Sequence, residues 1–178
     1  MLKKSRLLLL FAIFLGMLWG IISYDLIVPV QTEPVTPYYH GTRGLNNIAL
    51  TVNVDWGEEY IPDMLEVLSE YNIKATFFVT GKWVEKNPEL LKKIHDKGHE
   101  IGNHGYLHLH PADLSPSSLH KLIKKNEDLI YKLTGKQTKL FAPPYGEVND
   151  KIVKSASDIG YKTIMWSADT IDWQRPSP

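Results

Sequence analysis

Lys74-Ala-Thr-Phe-Phe-Val-Thr-Gly-Lys-Trp-Val-Glu-Lys-Asn-Pro-Glu-Leu-Leu-Lys-Lys-Ile-His-Asp-Lys-Gly-His-Glu-Ile-Gly-Asn103 is the stretch whose reading decides the fold. Lys74–Thr80 is a β-rich apolar run stopped by Gly81. Asn87–Lys97 has helical spacing, with Pro88 at its first position and Gly98 just past its end. Glu100–Asn103 is extended again. The same alternation runs outward in both directions. Upstream, strand Ile48–Val54 is followed by a helix over Glu58–Tyr71, with Ile61, Met64, Leu65 and Leu68 on one side. Downstream, Ser115 caps a long helix that begins at Pro116 and closes at Gly135. Strand Lys139–Tyr145, helix Asn149–Ile159 and strand Lys162–Ala168 complete the series. Five strands separated by helices predict a parallel α/β sheet, either open and doubly wound or closed as a barrel.

Both architectures collect functional groups at the carboxyl ends of the strands. The chemistry-bearing residues fall there. Asn53 and Asp55 end the first strand, and the two-residue period of a strand puts them on one face. His104 and His108 follow the third strand, four residues apart, a spacing used by two-histidine metal sites. Pro143, Pro144 and Tyr145 end the fourth strand, and Asp169, Asp172 and Trp173 follow the fifth. The chain has no cysteine, so any metal must sit on His, Asp or Glu. His104, His108 and Asp55 form a plausible ligand set for Zn²⁺ or a similar divalent ion, with positions left for water and substrate. The alternative is a pair of surface histidines. His95 and His120 fall in helices, His40 in a linker, and His99 and His110 read as solvated neighbours.

Composition bounds the rest. The 178 residues carry 20 basic and 20 acidic side chains, and this balance argues against a nucleic-acid partner. The balance is uneven along the chain. Residues 1–6 are a basic segment expected in the cytoplasm, and residues 7–24 are uncharged and apolar, about the minimum for a membrane-spanning helix. No Ala-x-Ala-like site follows, which favours a retained signal anchor over a cleaved peptide. Residues 25–46, with Pro29, Pro34, Pro37, Gly41 and Gly44, read as an extracellular tether. Residues 47–178 are the exported domain. Without the basic segment the chain is mildly acidic, with 17 basic and 20 acidic residues.

Several ordered motifs strongly resemble the polysaccharide deacetylases, the NodB-homology domains of carbohydrate esterase family 4. They are Ile48-Ala-Leu-Thr51, Lys74-Ala-Thr-Phe-Phe-Val-Thr-Gly81, Gly98-His-Glu-Ile-Gly-Asn-His104, Phe141-Ala-Pro-Pro-Tyr-Gly146 and Trp166-Ser-Ala-Asp-Thr-Ile-Asp-Trp173. The resemblance implies a distorted (β/α) barrel. It also implies metal-dependent removal of acetyl groups from an N-acetylated glycan such as peptidoglycan or chitin. Residue by residue, it makes Asp55, His104 and His108 the metal ligands and Asn53 the occupant of the catalytic base position. The backbone N–H of Tyr145 becomes the oxyanion donor. Pro143, Pro144, Asp172 and Trp173 line the substrate groove, and Asp169 supports the catalytic set.

Three departures from the family pattern matter. Asn53 is an amide where the family has a carboxylate base. Ala142 stands where the family has an Arg that pairs with that base. The Leu-x-His histidine, the family's proton donor to the leaving amine, does not occur before Pro178, so the domain is expected to be incomplete at its carboxyl end. Two functions follow: an envelope deacetylase in which Asp55 substitutes as base, or a non-catalytic relative that binds or scaffolds cell-wall glycan. The Trp56-Gly57 form of the first motif is reminiscent of sporulation-associated members.

Overall fold

A computed structural model describes residues 2–27 and 35–174, and the chain divides into two compact units at Pro34–Val35. The first unit is helix α1, Leu2–Ile27, whose side chains from Leu10 to Trp19 are exposed. Among the described residues no helix is long and apolar enough to cross a membrane. The side chains at 7–9 and 21–24 of the expected span lie outside those described, as do residues 28–34 of the expected tether.

The second unit carries β1 (Thr51–Val54), α2 (Ile61–Glu70), β2 (Thr76–Val79), α3 (Gly81–Lys86), α4 (Pro88–Asp96) and β3 (Glu100–Asn103). It continues with α5 (Pro116–Thr134), β4 (Leu140–Phe141), α6 (Asp150–Asp158) and β5 (Lys162–Thr163). All neighbouring strands are parallel, in the order β1-β2-β3-β4-β5. An open doubly wound sheet reverses its strand order at a switch point. No reversal occurs among the described strands.

The strands are shorter than the sequence predicts, for identifiable reasons. β4 stops at Phe141 because Pro143 and Pro144 have no N–H to continue a ladder. β5 stops at Thr163, where its partner ends. Its far side is taken by Tyr38, which donates to Thr163 O at 2.9 Å and accepts from Met165 N at 2.8 Å. Residue 38, placed in the tether by its composition, thus lies against the sheet. At the first strand, Ile48 is 96% exposed and outside the ladder.

Alternation along the strands separates a packed face from the face that bears the site. Val54, Phe77, Val79 and Ile101 join Leu65 and Leu68 of α2, Leu91 and Ile94 of α4 and Ile130 of α5 in one buried cluster. Leu119 and Ile123 of α5, Phe141, and Ile152 and Ala156 of α6 form the second. Fully burying such side chains contributes about 1.5–3 kcal/mol each. Helix α5 therefore ties both halves of the sheet together. Its ends are those expected: Ser115 Oγ accepts from Ser118 N at 3.2 Å, and Gly135 terminates it in the left-handed region.

On the opposite face Phe78 is buried although it points away from these helices, because its ring lies over Gly102 of the next strand. A Cβ at position 102 would fall 2.3 Å from Phe78 Cδ1. Only glycine permits that approach.

Candidate active site

The sheet register builds the site. Val54, Val79, Asn103 and Phe141 are paired across four strands. The next residue of each strand points to the other face, so Asp55, Thr80, His104 and Ala142 form one cross-strand row. Backbone bonds continue the ladder there: Thr80 N to Val54 O, His104 N to Val79 O and Ala142 N to Asn103 O, each 3.0–3.1 Å. Two side-chain bonds run along the row. Thr80 Oγ1 donates to Asp55 Oδ1 at 2.7 Å. His104 Nδ1 lies 2.7 Å from Ala142 O. A carbonyl only accepts, so Nδ1 carries the proton and Nε2 keeps its lone pair, the tautomer of a metal-binding imidazole. His104 is 2% exposed. Burial pushes its pKa down from 6.5 to about 4, against the opposing effects of the Ala142 carbonyl and Asp55. The ring is therefore neutral at pH 7.

The loop carrying the second imidazole is held from several sides. Asn103 is fully buried. Its Oδ1 accepts from Gly105 N at 2.8 Å and from Asn126 Nδ2 at 3.1 Å, and its Nδ2 donates to Ile123 O at 2.9 Å. The start of α3 binds the loop through Gly81 N to Gly105 O and Lys82 N to Tyr106 O, both 3.0 Å. The Tyr106 hydroxyl donates to Glu85 Oε1 at 2.9 Å, and Lys125 Nζ sits 3.5 Å from the ring centroid. Gly105 has φ +80°. That conformation strains any residue with a Cβ, which gives a local reason for glycine here. The result places the His104 and His108 rings 5.0 Å apart, centroid to centroid.

Tyr145 closes the other side. Its backbone has φ +59°, unusual for a bulky residue. The ring meets His108 edge-on at 4.4 Å and stacks flat on His110 at 3.9 Å, with an interplanar angle of 7°. His110 Nδ1 lies 2.6 Å from Glu147 Oε1. The expectation that His99 is a solvated neighbour is corrected, whereas His110 is exposed as expected. His99 is 5% exposed, accepts from Ala75 N at 3.2 Å and packs edge-on against Phe77. His110, half exposed, belongs to the Tyr145 cluster. Only a partner 37 residues away reveals its role, and no local signal marks it.

Other expected site residues are placed as follows. Asn53 is exposed, on the same side of β1 as Asp55. Pro143 and Pro144 lead into the Tyr145 turn. Asp169 Oδ1 accepts from Ile171 N and Asp172 Oδ1 from Trp173 N, both at 2.9 Å, and Trp173 is exposed. These hydrogen bonds stay within their own turn. A cleft of about 340 Å³ opens beside the row, lined by Asp55, Trp56, Glu58, Lys82, Trp83, Lys86, Leu107 and His108. Trp56 presents a 58% exposed indole there.

The donor set fits a divalent ion in chemistry: one imidazole has a fixed tautomer and a carbonyl behind it, a second lies nearby, and a carboxylate shares the row. The gathered triad expected from the sequence is not found. Among the described residues no group of three His, Cys, Asp or Glu is close enough to hold a metal, and Asp55 is bonded to Thr80 instead.

Comparison with known proteins agrees with this geometry. The polysaccharide deacetylase family pattern matches residues 40–164. The chain belongs to the polysaccharide deacetylase family. The Bacillus subtilis protein YlxY is 40% identical over 149 residues, which are 84% of this chain and 46% of YlxY. The peptidoglycan-N-acetylmuramic acid deacetylase PdaA of Bacillus subtilis is 33% identical over 143 residues, 80% of this chain and 54% of PdaA. Among solved structures, BA3943 of Bacillus anthracis, a pseudoenzyme of carbohydrate esterase family 4, aligns with a TM-score of 0.79 and 41% identity. That alignment covers 83% of this chain and 52% of BA3943. A mutant of BA3943 has restored enzymatic activity. The chain spans about half the length of the curated relatives it matches.

Polysaccharide deacetylases are generally metal-dependent. At position 53 this chain carries an amide, which cannot accept a proton at neutral pH. At position 142 it carries a buried methyl group that cannot orient a base.

Proposed function

We propose that this chain recognises an N-acetylated cell-wall glycan at the His104–His108 site without catalysing its deacetylation. The observation that carries the reading is the coexistence of an ordered imidazole pair with Asn53 on β1 and Ala142 at the end of β4. His104 and His108, with Asp55 brought in from Thr80, would hold a Zn²⁺-like ion. That ion supplies a Lewis-acidic contact for a carbonyl oxygen of the glycan. Trp56 and Leu107 offer apolar surface in the cleft, suited to a sugar ring. Pro143, Pro144, Asp172 and Trp173 are the proposed groove residues, with Asp169 beside them. The Tyr145 N–H is the proposed donor to a carbonyl or oxyanion. Removing a single proton-transfer group costs about 10²–10⁴ in rate.

A second reading keeps activity, with Asp55 as the base. What favours it is that Asp55 bonds Thr80 and is not gathered with the two histidines. The two readings separate in one experiment: incubation of the protein with Zn²⁺ and N-acetylglucosamine oligomers, measuring oligomer binding and acetate release together. Binding without acetate supports the first reading, binding with acetate the second, and no binding defeats both. Loss of Zn²⁺ affinity in His104→Ala and His108→Ala is expected, and unchanged affinity in both would remove the metal from either reading.

The same proposal places the domain outside the membrane, held by α1 as a retained anchor. What supports the anchor is the sequence, in which the uncharged apolar run of residues 7–24 follows a basic segment. Membrane fractionation of the full chain, with protease access from outside, tests it. A soluble or protected domain would contradict it. Closure of the sheet into a distorted barrel belongs to this proposal too, supported by the sequential parallel strand order.

A further inference from the structure

We propose that His110 and Glu147 are positioning residues for His108, acting through Tyr145, and that they raise the affinity of the two-imidazole site for a divalent cation. The inference rests on the reading that His104 and His108 hold such an ion. It goes beyond that reading by assigning a supporting pair outside the ligand set.

The geometry is a chain of four side chains from two separate loops. Glu147 is held at both oxygens: Oε1 meets His110 Nδ1 at 2.6 Å, and Oε2 accepts from Ala112 N at 3.1 Å. Lys151 Nζ pins the same loop by donating to Ala112 O at 2.6 Å and Leu114 O at 3.0 Å. A carboxylate fixed at both ends in turn fixes the plane of the His110 ring. That ring lies parallel to Tyr145 at 3.9 Å, so Tyr145 cannot tilt without losing the stack. The other contact of Tyr145 is with His108, edge-on at 4.4 Å, and its hydroxyl donates to His108 O at 3.4 Å. One tyrosine thus restrains both the imidazole and the backbone of the proposed ligand.

Tyr145 needs such support. Its φ of +59° is a conformation that persists only where the surroundings over-determine it. The His104 imidazole has a direct supporting acceptor in the Ala142 carbonyl, whereas His108 has an aromatic edge in that place. Groups that orient a metal-ligating histidine by direct hydrogen bonding are worth about 10–100-fold in metal affinity. Acting at one remove, through a ring contact, the His110–Glu147 pair is expected at the low end of that range.

The test measures Zn²⁺ affinity of the full chain by competition with a chromophoric chelator, alongside the visible absorption of the Co²⁺-loaded protein. His110→Ala should weaken Zn²⁺ binding about 5–10-fold and alter the Co²⁺ spectrum. The thermal midpoint of the metal-free protein should change little, since both side chains lie at the surface. His110→Phe keeps a ring for Tyr145 to stack on and should recover most of the lost affinity. Glu147→Gln should fall between wild type and His110→Ala. Zn²⁺ bound equally well by wild type and His110→Ala would overturn the positioning role while leaving the metal site standing. Failure of the wild type to bind Zn²⁺ would overturn the metal reading, and this inference with it.

Discussion

Acidifying the metal-free protein from about pH 7 to about pH 4 is expected to remove about 3 kcal/mol of folding stability through His104 alone. His104 is 2% exposed, and its one acceptor, the Ala142 carbonyl, does not offset the loss of hydration that a protonated ring would suffer. Burial pushes its pKa from 6.5 to about 4. Unfolded, the ring returns to its ordinary value. Between these two values the unfolded chain takes up a proton that the folded chain refuses. Stability is therefore fully present above the unfolded value, falls as the pH drops through this window, and levels off below the folded value. A gap of about 2.5 pH units, at about 1.4 kcal/mol each, sets the size of the effect. That is a large share of the about 5–15 kcal/mol that holds an ordinary domain folded. His99, also pushed below its ordinary value by burial, acts in the same direction. Glu85 and Glu147 lie below the usual carboxylate range because of Lys82 and His110, and their support is lost only at lower pH. The assay is urea unfolding in EDTA at several pH values, for wild type and for His104→Gln, which cannot titrate. The variant should be somewhat less stable at neutral pH and lose about 3 kcal/mol less on acidification. Parallel pH profiles for the two proteins would refute the reasoning.

Three further outcomes are expected. Gly102→Ala forces a Cβ to within 2.3–3.0 Å of three Phe78 ring atoms and should cost about 1–3 kcal/mol, with Phe78→Leu in the same chain relieving part of it; urea unfolding of the four-member cycle checks this, and strict additivity would count against the clash. Asn126→Leu removes the donor to Val79 O at 2.7 Å and to Asn103 Oδ1 at 3.1 Å; both oxygens keep a backbone donor, His104 N and Gly105 N, so the loss should be about 0.5–1.5 kcal/mol per hydrogen bond. Slower amide exchange in the Gly105–His108 loop of that variant would be the contrary result. Asn53→Asp restores a carboxylate at an exposed position of the same shape, so folding should be unaffected; acetate release from N-acetylglucosamine oligomers should rise above wild type, and unchanged release would mean that the amide is not what blocks the reaction.

Periodicity alone determined the order of the strands and of the longer helices, because each strand is a short β-rich run and each longer helix shows its apolar stripe and its stops; the six-residue α3 is too short to show one. Ser115, Pro116 and Gly135 marked the ends of α5 because capping is a local matter. The sequence also showed that Asn53 and Asp55 share a face and that His104 and His108 travel together. Tertiary structure alone decided which residues meet across strands. That Asp55 bonds Thr80, and that His104 leans on the Ala142 carbonyl, depends on the register of parallel strands joined by long crossovers, which no local pattern specifies. Strand lengths belonged to the tertiary structure as well, since a ladder lasts only as long as its partner. His110 and Glu147 show the same limit at the site itself. They look like two ordinary surface residues until the chain brings a loop 37 positions away against the first. Local spacing can nominate a pair of imidazoles, but the contacts that orient them come from distant parts of the chain.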